Sequence, residues 1–200
     1  AAPAPGAAGD KPDLVIWHWK DDRLQSQQQK DEGEDRSVSH LCAYRIKEKK
    51  FIRLGDEKHK TVLPAPKQRW AIVQDSRAYD LLGSLDGKRF QDIHVIDMHT
   101  GERKLALTKN RWYFGPTLDG TRFLYYDDGN FWTYEMATGQ KINLTEKHPG
   151  QFVNMEDDHP VDRPPQTPRG FTKDGKFVFL FDGWDIWKVP TAGGPIENIT

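Results

Sequence analysis

Asp92-Ile-His-Val-Ile-Asp97, Asn130-Phe-Trp-Thr-Tyr-Glu135 and Asp185-Ile-Trp-Lys-Val-Pro190 can be laid over one another. A turn sequence follows each: His99-Thr-Gly-Glu102, Ala137-Thr-Gly-Gln140 and Thr191-Ala-Gly-Gly194. Each turn leads to a short run that closes on Leu107-Thr108, Leu144-Thr145 or Ile199-Thr200. Val, Ile, Phe, Tyr and Trp dominate the apolar positions, which is strand composition. Gly101 and Gly139 stand where a tight turn needs positive φ. A fainter fourth copy reads Leu41-Cys-Ala-Tyr-Arg-Ile46, four residues of turn, then Phe51-Ile-Arg-Leu54.

A second motif precedes these units. It is an Asp-Gly turn and then a strand, in Leu118-Asp-Gly-Thr-Arg-Phe-Leu-Tyr-Tyr126 and Lys173-Asp-Gly-Lys-Phe-Val-Phe-Leu-Phe181. Pro66-Lys-Gln-Arg-Trp-Ala-Ile-Val73 is a degenerate copy without the glycine. Asp-Gly between two extended runs is a hairpin signal, and it marks Gly120 and Gly175 as turn positions. Each unit thus predicts four antiparallel strands. Gly101 and Gly139 lie 38 residues apart, and Thr145 and Thr200 lie 55 apart. Four-stranded units at this spacing predict an all-β fold of β-propeller blades, about four in number and part of a larger propeller. The expected blades cover residues 13–58, 59–109, 110–146 and 166–200, with a long loop at 147–165 and a flexible Ala/Pro/Gly lead-in at 1–12. Ile93, Trp132 and Ile186 are expected at equivalent positions on equivalent strands.

Composition narrows the function. The 29 Lys and Arg against 30 Asp and Glu leave a net charge of -1, so there is no basic face for nucleic acid. No apolar run has the length of a membrane span. The N-terminus has neither the charged nor the apolar segment of a signal peptide. The single cysteine, Cys42, excludes an internal disulfide, and its place in a strand-like run predicts a buried core thiol. Residues 21–36 are too polar to bury a helical face, and a solvated loop or frayed helix is expected.

The repeat resembles the propeller repeats of the prolyl oligopeptidase family of serine peptidases. Two longer stretches look like bacterial secreted members. One is Lys11-Pro-Asp-Leu-Val-Ile-Trp-His-Trp-Lys-Asp21 with Leu24-Gln25. The other is Gly170-Phe-Thr-Lys-Asp-Gly-Lys176 with Asp182-Gly-Trp-Asp-Ile-Trp187 and Asn198-Ile-Thr200. The resemblance runs from about residue 11 to 200. It implies a non-catalytic propeller that gates peptide access to, and docks, a separate α/β-hydrolase domain of the same secreted or periplasmic parent. The parent would be a serine peptidase, with peptides as substrates. No cofactor is implied.

The chain itself carries no catalytic signature. A nucleophile elbow reads Gly-x-Ser-x-Gly, and none of the five serines (26, 37, 39, 76, 84) fits that frame. The stretch Gly83-Ser-Leu-Asp-Gly87 has the wrong spacing and reads as a loop. Trp132-Thr-Tyr-Glu135 lacks the second Glu that dipeptidyl-peptidase members use, because Met136 follows, so Glu135 reads as a strand-end residue. Glu156, Asp157, Asp158 and His159, with Asp162, form an acidic segment. It reads as a solvated loop, with contact to peptide substrate or to the hydrolase as the functional alternative and a Ca²⁺ site as a third. The seven histidines are scattered and lack helical ligand spacing, so no metal site is expected. His18 is expected on a strand, opposite Trp17 and Trp19. Asn143-Leu-Thr145 and Asn198-Ile-Thr200 match the glycosylation sequon, but their shared repeat position points to strand closure. A stand-alone periplasmic binding or scaffold propeller for peptides or partner proteins is the competing function. Four blades from a larger ring predict an open arc, with the first and last blades not in contact.

Overall fold

The computed structural model describes residues 14–21, 23–59, 61–148, 150–159 and 162–200. The lead-in expected over 1–12 lies outside them. Fourteen strands are described. The first sheet pairs β1 (Cys42–Arg45) with β2 (Lys50–Arg53). The second holds β3 (Val62–Pro64), β4 (Trp70–Asp75), β5 (Gln91–Asp97) and β6 (Arg103–Asn110). The third holds β7 (Trp112–Pro116), β8 (Arg122–Asp127), β9 (Asn130–Glu135) and β10 (Lys141–Asn143). The fourth holds β11 (Gly170–Phe171), β12 (Phe177–Phe181), β13 (Ile186–Pro190) and β14 (Glu197–Asn198). Every pairing is antiparallel between neighbours in sequence, a meander in each sheet.

The sheets stack in order, and strand alternation explains how. Successive side chains of a strand point to opposite faces. Ala71 and Val73 of β4 pack toward the first sheet with Ile52 and Leu54, whereas Ile72 packs toward the third with Phe123 and Tyr125. Phe123 and Tyr125 of β8 face the second sheet, and Leu124 and Tyr126 face Val178 and Leu180 of the fourth. The central strands are therefore apolar on both faces. Among the described residues, no core cluster joins the first sheet to the fourth. Three four-stranded meanders and one two-stranded sheet, packed face to face in sequence, are β-propeller blades in an all-β fold.

The closing threonines show how a blade is sealed. The Thr145 hydroxyl accepts the Phe131 N–H at 3.0 Å and donates to Asn130 Oδ1, while Thr145 N–H and Glu146 N–H donate to Asn143 Oδ1. Thr200 repeats this with the Ile186 N–H and the Asp185 carboxylate. Hence Asn-x-Thr recurs at the end of a blade: its side chains satisfy strand-end donors.

That pattern corrects one expectation. Ile93 pairs with Gln74, Phe131 with Tyr126 and Ile186 with Phe181, each counted equally from the tight turn. Phe131, not Trp132, is the equivalent of Ile93 and Ile186. Ile93 and Phe131 face the next sheet and are fully buried. Trp132 faces the preceding one.

Other expectations also shift. Among the described residues the first blade shows two strands. Residues 14–18, with Trp17 and His18, are not in a strand, and Trp17 and Trp19 are exposed. Cys42 is exposed, because β1 has a neighbour on one face only and turns Ala43 toward the core instead. The polar stretch forms a helix, α1 (Gln25–Arg36), with no buried residue. Lys, Glu and Gln favour helix, and Arg23 ties its far end through Asp31 and Asp35. Residues 83–87 belong to a second helix, α2 (Asp80–Asp86), closed by Gly87 at φ +72°.

Candidate functional site

The two ends of the sheets differ. One end carries tight turns alone. Gly101, Gly120, Gly139 and Gly175 all have φ between +70° and +82°. Thr117 and Thr172 hydroxyls donate to Asp119 and Asp174, whose carboxylates accept the N–H groups of Thr121 and Lys176. These turns stack from blade to blade. A Cβ on Gly120 would lie 2.0 Å from the Pro66 carbonyl oxygen, and one on Gly175 would lie 2.6 Å from Asp119.

The opposite end carries the long connections, residues 54–61, 76–90 and 144–169, and the cleft beside α1. That cleft, about 1050 Å³, is lined by Arg23, Lys30, Asp31, Tyr79, Arg89 and Arg111, among others. The acidic segment lies at this end. Phe152 anchors its connection, 1% exposed against Phe131 and His148. Val153 bridges to Pro165. Glu156 and Asp158 are exposed. The Asp157 carboxylate accepts the backbone N–H of His159 and meets its ring at 2.9 Å, and these contacts hold Asp157 below the usual carboxylate range. Asp162 reaches Lys88 at 3.5 Å and Arg111 at 3.7 Å. The segment is thus a pinned loop with outward carboxylates, and these do not converge on one point.

A different group converges at the same end. His59 sits on the connection from the first sheet to the second, Asp75 at the end of β4 and His94 on β5 opposite Val73. One ligand atom from each lies within 4.8 Å of the others, and all three side chains are half-buried. The His59 and His94 rings meet edge to face at 5.1 Å. Asp56 Oδ1 accepts the His59 backbone N–H at 2.7 Å and lies 3.0 Å from Nδ1. Arg103 of β6 donates to Asp56 at 2.9 Å and to the Leu54 carbonyl at 2.8 Å, and it also abuts His59 Nδ1. Burial raises the Asp56 pKa, but the N–H of His59 and the Arg103 guanidinium outweigh it and hold the carboxyl well below its ordinary value. Arg77 clamps Asp75 through two bonds of 2.8 and 2.7 Å and lowers its pKa. Burial, then His59 and Arg103, push the His94 imidazole down, toward its neutral form.

The sequence did not reveal this cluster. His59, Asp75 and His94 have no motif spacing, because a connection and two neighbouring strands bring them together. The Asp-Glu-Lys-His run before β3 was the available hint. Among the described residues no catalytic constellation accompanies it. Ser84 donates to the Asp80 carbonyl and Ser37 to the carbonyls of Gly33 and Glu34, as helix serines do.

No family model matches the chain, and no curated protein does. Solved structures with which it shares a likeness include a protein described as TolB from Agrobacterium tumefaciens, at 17% identity and TM-score 0.45, over 76% of this chain and 51% of that one. TolB from Acinetobacter baumannii aligns at 12% identity and TM-score 0.34, over 83% and 50%. A prolyl endopeptidase aligns at 13% identity and TM-score 0.43, over 75% and 24%. The chain thus spans about half the length of the TolB structures and a quarter of the endopeptidase. The fold assignment rests on the sheets and their stacking. Among the described residues no helix is long and apolar enough to cross a membrane.

Proposed function

We propose that this propeller segment is the non-catalytic part of a secreted or periplasmic serine peptidase of the prolyl oligopeptidase type, gating peptide access to an α/β-hydrolase domain of the same parent. The supporting observation is the division of the blades into two ends. Stacked glycine turns make one end rigid. The other gathers the long connections, with Glu156 and Asp158 exposed and free to meet a peptide's cationic amino terminus. A ring of blades over a hydrolase admits short or unfolded peptides and excludes folded proteins on size. The flanks fit a larger ring: Tyr44 and Phe51 stand 60% and 63% exposed on the first sheet, and Ile186 is only half-buried on the last.

The test uses the parent protein. Glu156→Gln with Asp158→Asn is expected to raise KM for peptides with a free amino terminus and to leave kcat unchanged. The chain alone is expected to resist labelling by a fluorophosphonate probe. Serine labelling with peptide turnover by the chain alone would overturn the reading. So would a parent reading frame that encodes no hydrolase, which would leave a stand-alone binding propeller.

A further inference from the structure

We propose that His59, Asp75 and His94 form a binding site for a divalent transition-metal ion that ties the connection between the first two sheets to the face of the second. Two imidazoles and one carboxylate are the donor set that zinc and its neighbours prefer, with a fourth position left for water. Zinc–ligand distances of about 2.0–2.2 Å in a tetrahedron put donor atoms roughly 3.3–3.5 Å apart. His59 Nε2 already lies 3.6 Å from Asp75 Oδ2, too far for a good hydrogen bond and close to the spacing that a shared ion imposes. All three ligand atoms lie within 4.8 Å of one another, and His59 sits on a connection and not in a strand.

The surroundings suit a cation. Asp56 lies on Nδ1 of His59, the outer carboxylate that fixes a ligand imidazole's tautomer and aims its other nitrogen at the metal. Metal on Nε2 requires the proton on Nδ1, directed at Asp56 Oδ1, and the close approach of the Arg103 guanidinium, itself a donor, to Nδ1 must then lengthen. Arg103 then keeps its bonds to Asp56 and to the Leu54 carbonyl. Asp75 is ionised under its Arg77 clamp, and the His94 ring makes no hydrogen bond to any described residue. With neutral imidazoles, Asp56, Asp75 and Asp92 outweigh Arg77 and Arg103 by one negative charge, so an incoming dication is not repelled. The competing arrangement is a metal-free one, with the His59 ring held between Asp56 and Asp75.

The experiment is zinc titration of the EDTA-treated chain against a chromophoric chelator of micromolar affinity, with cobalt(II) spectra as a second readout. The expected result is one zinc per chain and the visible bands of a tetrahedral cobalt site. His94→Gln is expected to weaken zinc binding by at least ~10-fold, and Asp56→Asn by roughly 10–100-fold as an outer-sphere change. His148→Gln, remote from the cluster, is expected to change nothing. His94→Gln removes no hydrogen bond to a described residue, so its far-UV circular dichroism and EDTA melting curve should match the parent chain. Binding that survives His94→Gln, or no stoichiometric zinc uptake by the folded chain, overturns the site and leaves the metal-free ion-pair arrangement.

Discussion

The tight-turn end and the loop end are built from the same strands on opposite principles. At the tight-turn end, the turns press directly on one another: the Gly120 turn lies on the backbone carbonyl of Pro66, and the Gly175 turn lies on the hydrogen-bonded side chain of Asp119. Buried hydrogen bonds continue the contact. Thr133, fully buried, donates to the Thr191 carbonyl at 2.7 Å across the third and fourth sheets, and the Thr191 hydroxyl donates to the Gly175 carbonyl. At the loop end, side chains do the joining. Ion pairs such as Lys88–Asp162 and the Asp56–Arg103–His59 group span gaps that backbone does not fill. Backbone stacking fixes the angle between blades, and side-chain contacts can vary without disturbing it. The division puts stability at one end and variable chemistry at the other.

The sharpest way to break that contrast is a methyl group at the stacked turns. Gly120→Ala combines φ of +70° with a Cβ placed 2.0 Å from the Pro66 oxygen. The backbone must shift, and the expected loss is on the order of 3 kcal/mol, typical of strained positions. For a chain of this size, that lowers Tm by roughly 6–12 °C. Gly175→Ala meets an Asp119 side chain held by hydrogen bonds, and Gly101→Ala meets only a methyl of Ile52 at 2.9 Å. Melting curves should rank the losses Gly120, Gly175, Gly101. An equal loss at all three would mean that φ alone, and not blade stacking, governs this end.

Thr133→Val probes the same end one layer deeper. It keeps the volume, removes the hydroxyl and leaves the buried Thr191 carbonyl without that donor. The expected cost is about 1–3 kcal/mol by urea denaturation. A loss under a few tenths would show that the two sheets are held by apolar contact alone.

A smaller effect comes from Asp97. The Arg69 guanidinium first, with the N–H groups of His99 and Thr100, pulls the Asp97 carboxyl down to about 2, against burial, which raises it. A carboxyl lowered in the folded state contributes stability above its unfolded value of 3.8, and that contribution is lost as pH falls through about 2. Arg69 is 42% exposed, so solvent and salt screen the pair, and its worth is at most ~1 kcal/mol. Arg69→Ala is expected to be less stable than the parent near neutral pH. The gap should narrow with added salt and close at the acid end. A gap independent of pH would assign the loss to the stacking of Arg69 on Trp70.

What the sequence revealed follows the same division. The turn glycines, the Asp-Gly hairpins and the closing Asn-x-Thr were legible because backbone geometry restricts which residue can stand there. The slip from Phe131 to Trp132 arose because both faces of a blade strand are apolar, so alternation gives no register. Cys42 was misplaced because burial depends on whether a neighbouring sheet covers that face, which local sequence does not record. The His59–Asp75–His94 group was hidden for another reason: its members are joined through three dimensions and follow no period. The α1 stretch read as a solvated loop or frayed helix because it has no apolar face, and α2 was missed because it is two turns long.

The smallest expected effect sharpens the contrast from the loop end. Gly33 lies inside α1, and a Cβ there meets nothing within 4 Å. Its φ is not positive, so no strain opposes a methyl group. Alanine in place of glycine inside an exposed helix favours the helix by about 1 kcal/mol. This helix buries no residue, and Arg23, just before it, pairs with Asp31 and Asp35 within the same segment. Its opening is therefore a local event, separate from the unfolding of the sheets. Gly33→Ala is expected to raise amide protection across α1 about fivefold, the ~1 kcal/mol expressed as a local opening constant, while the main melting transition stays in place. A matching rise in Tm would mean that α1 unfolds together with the blades, and the loop end would then share in the rigidity assigned here to the stacked turns.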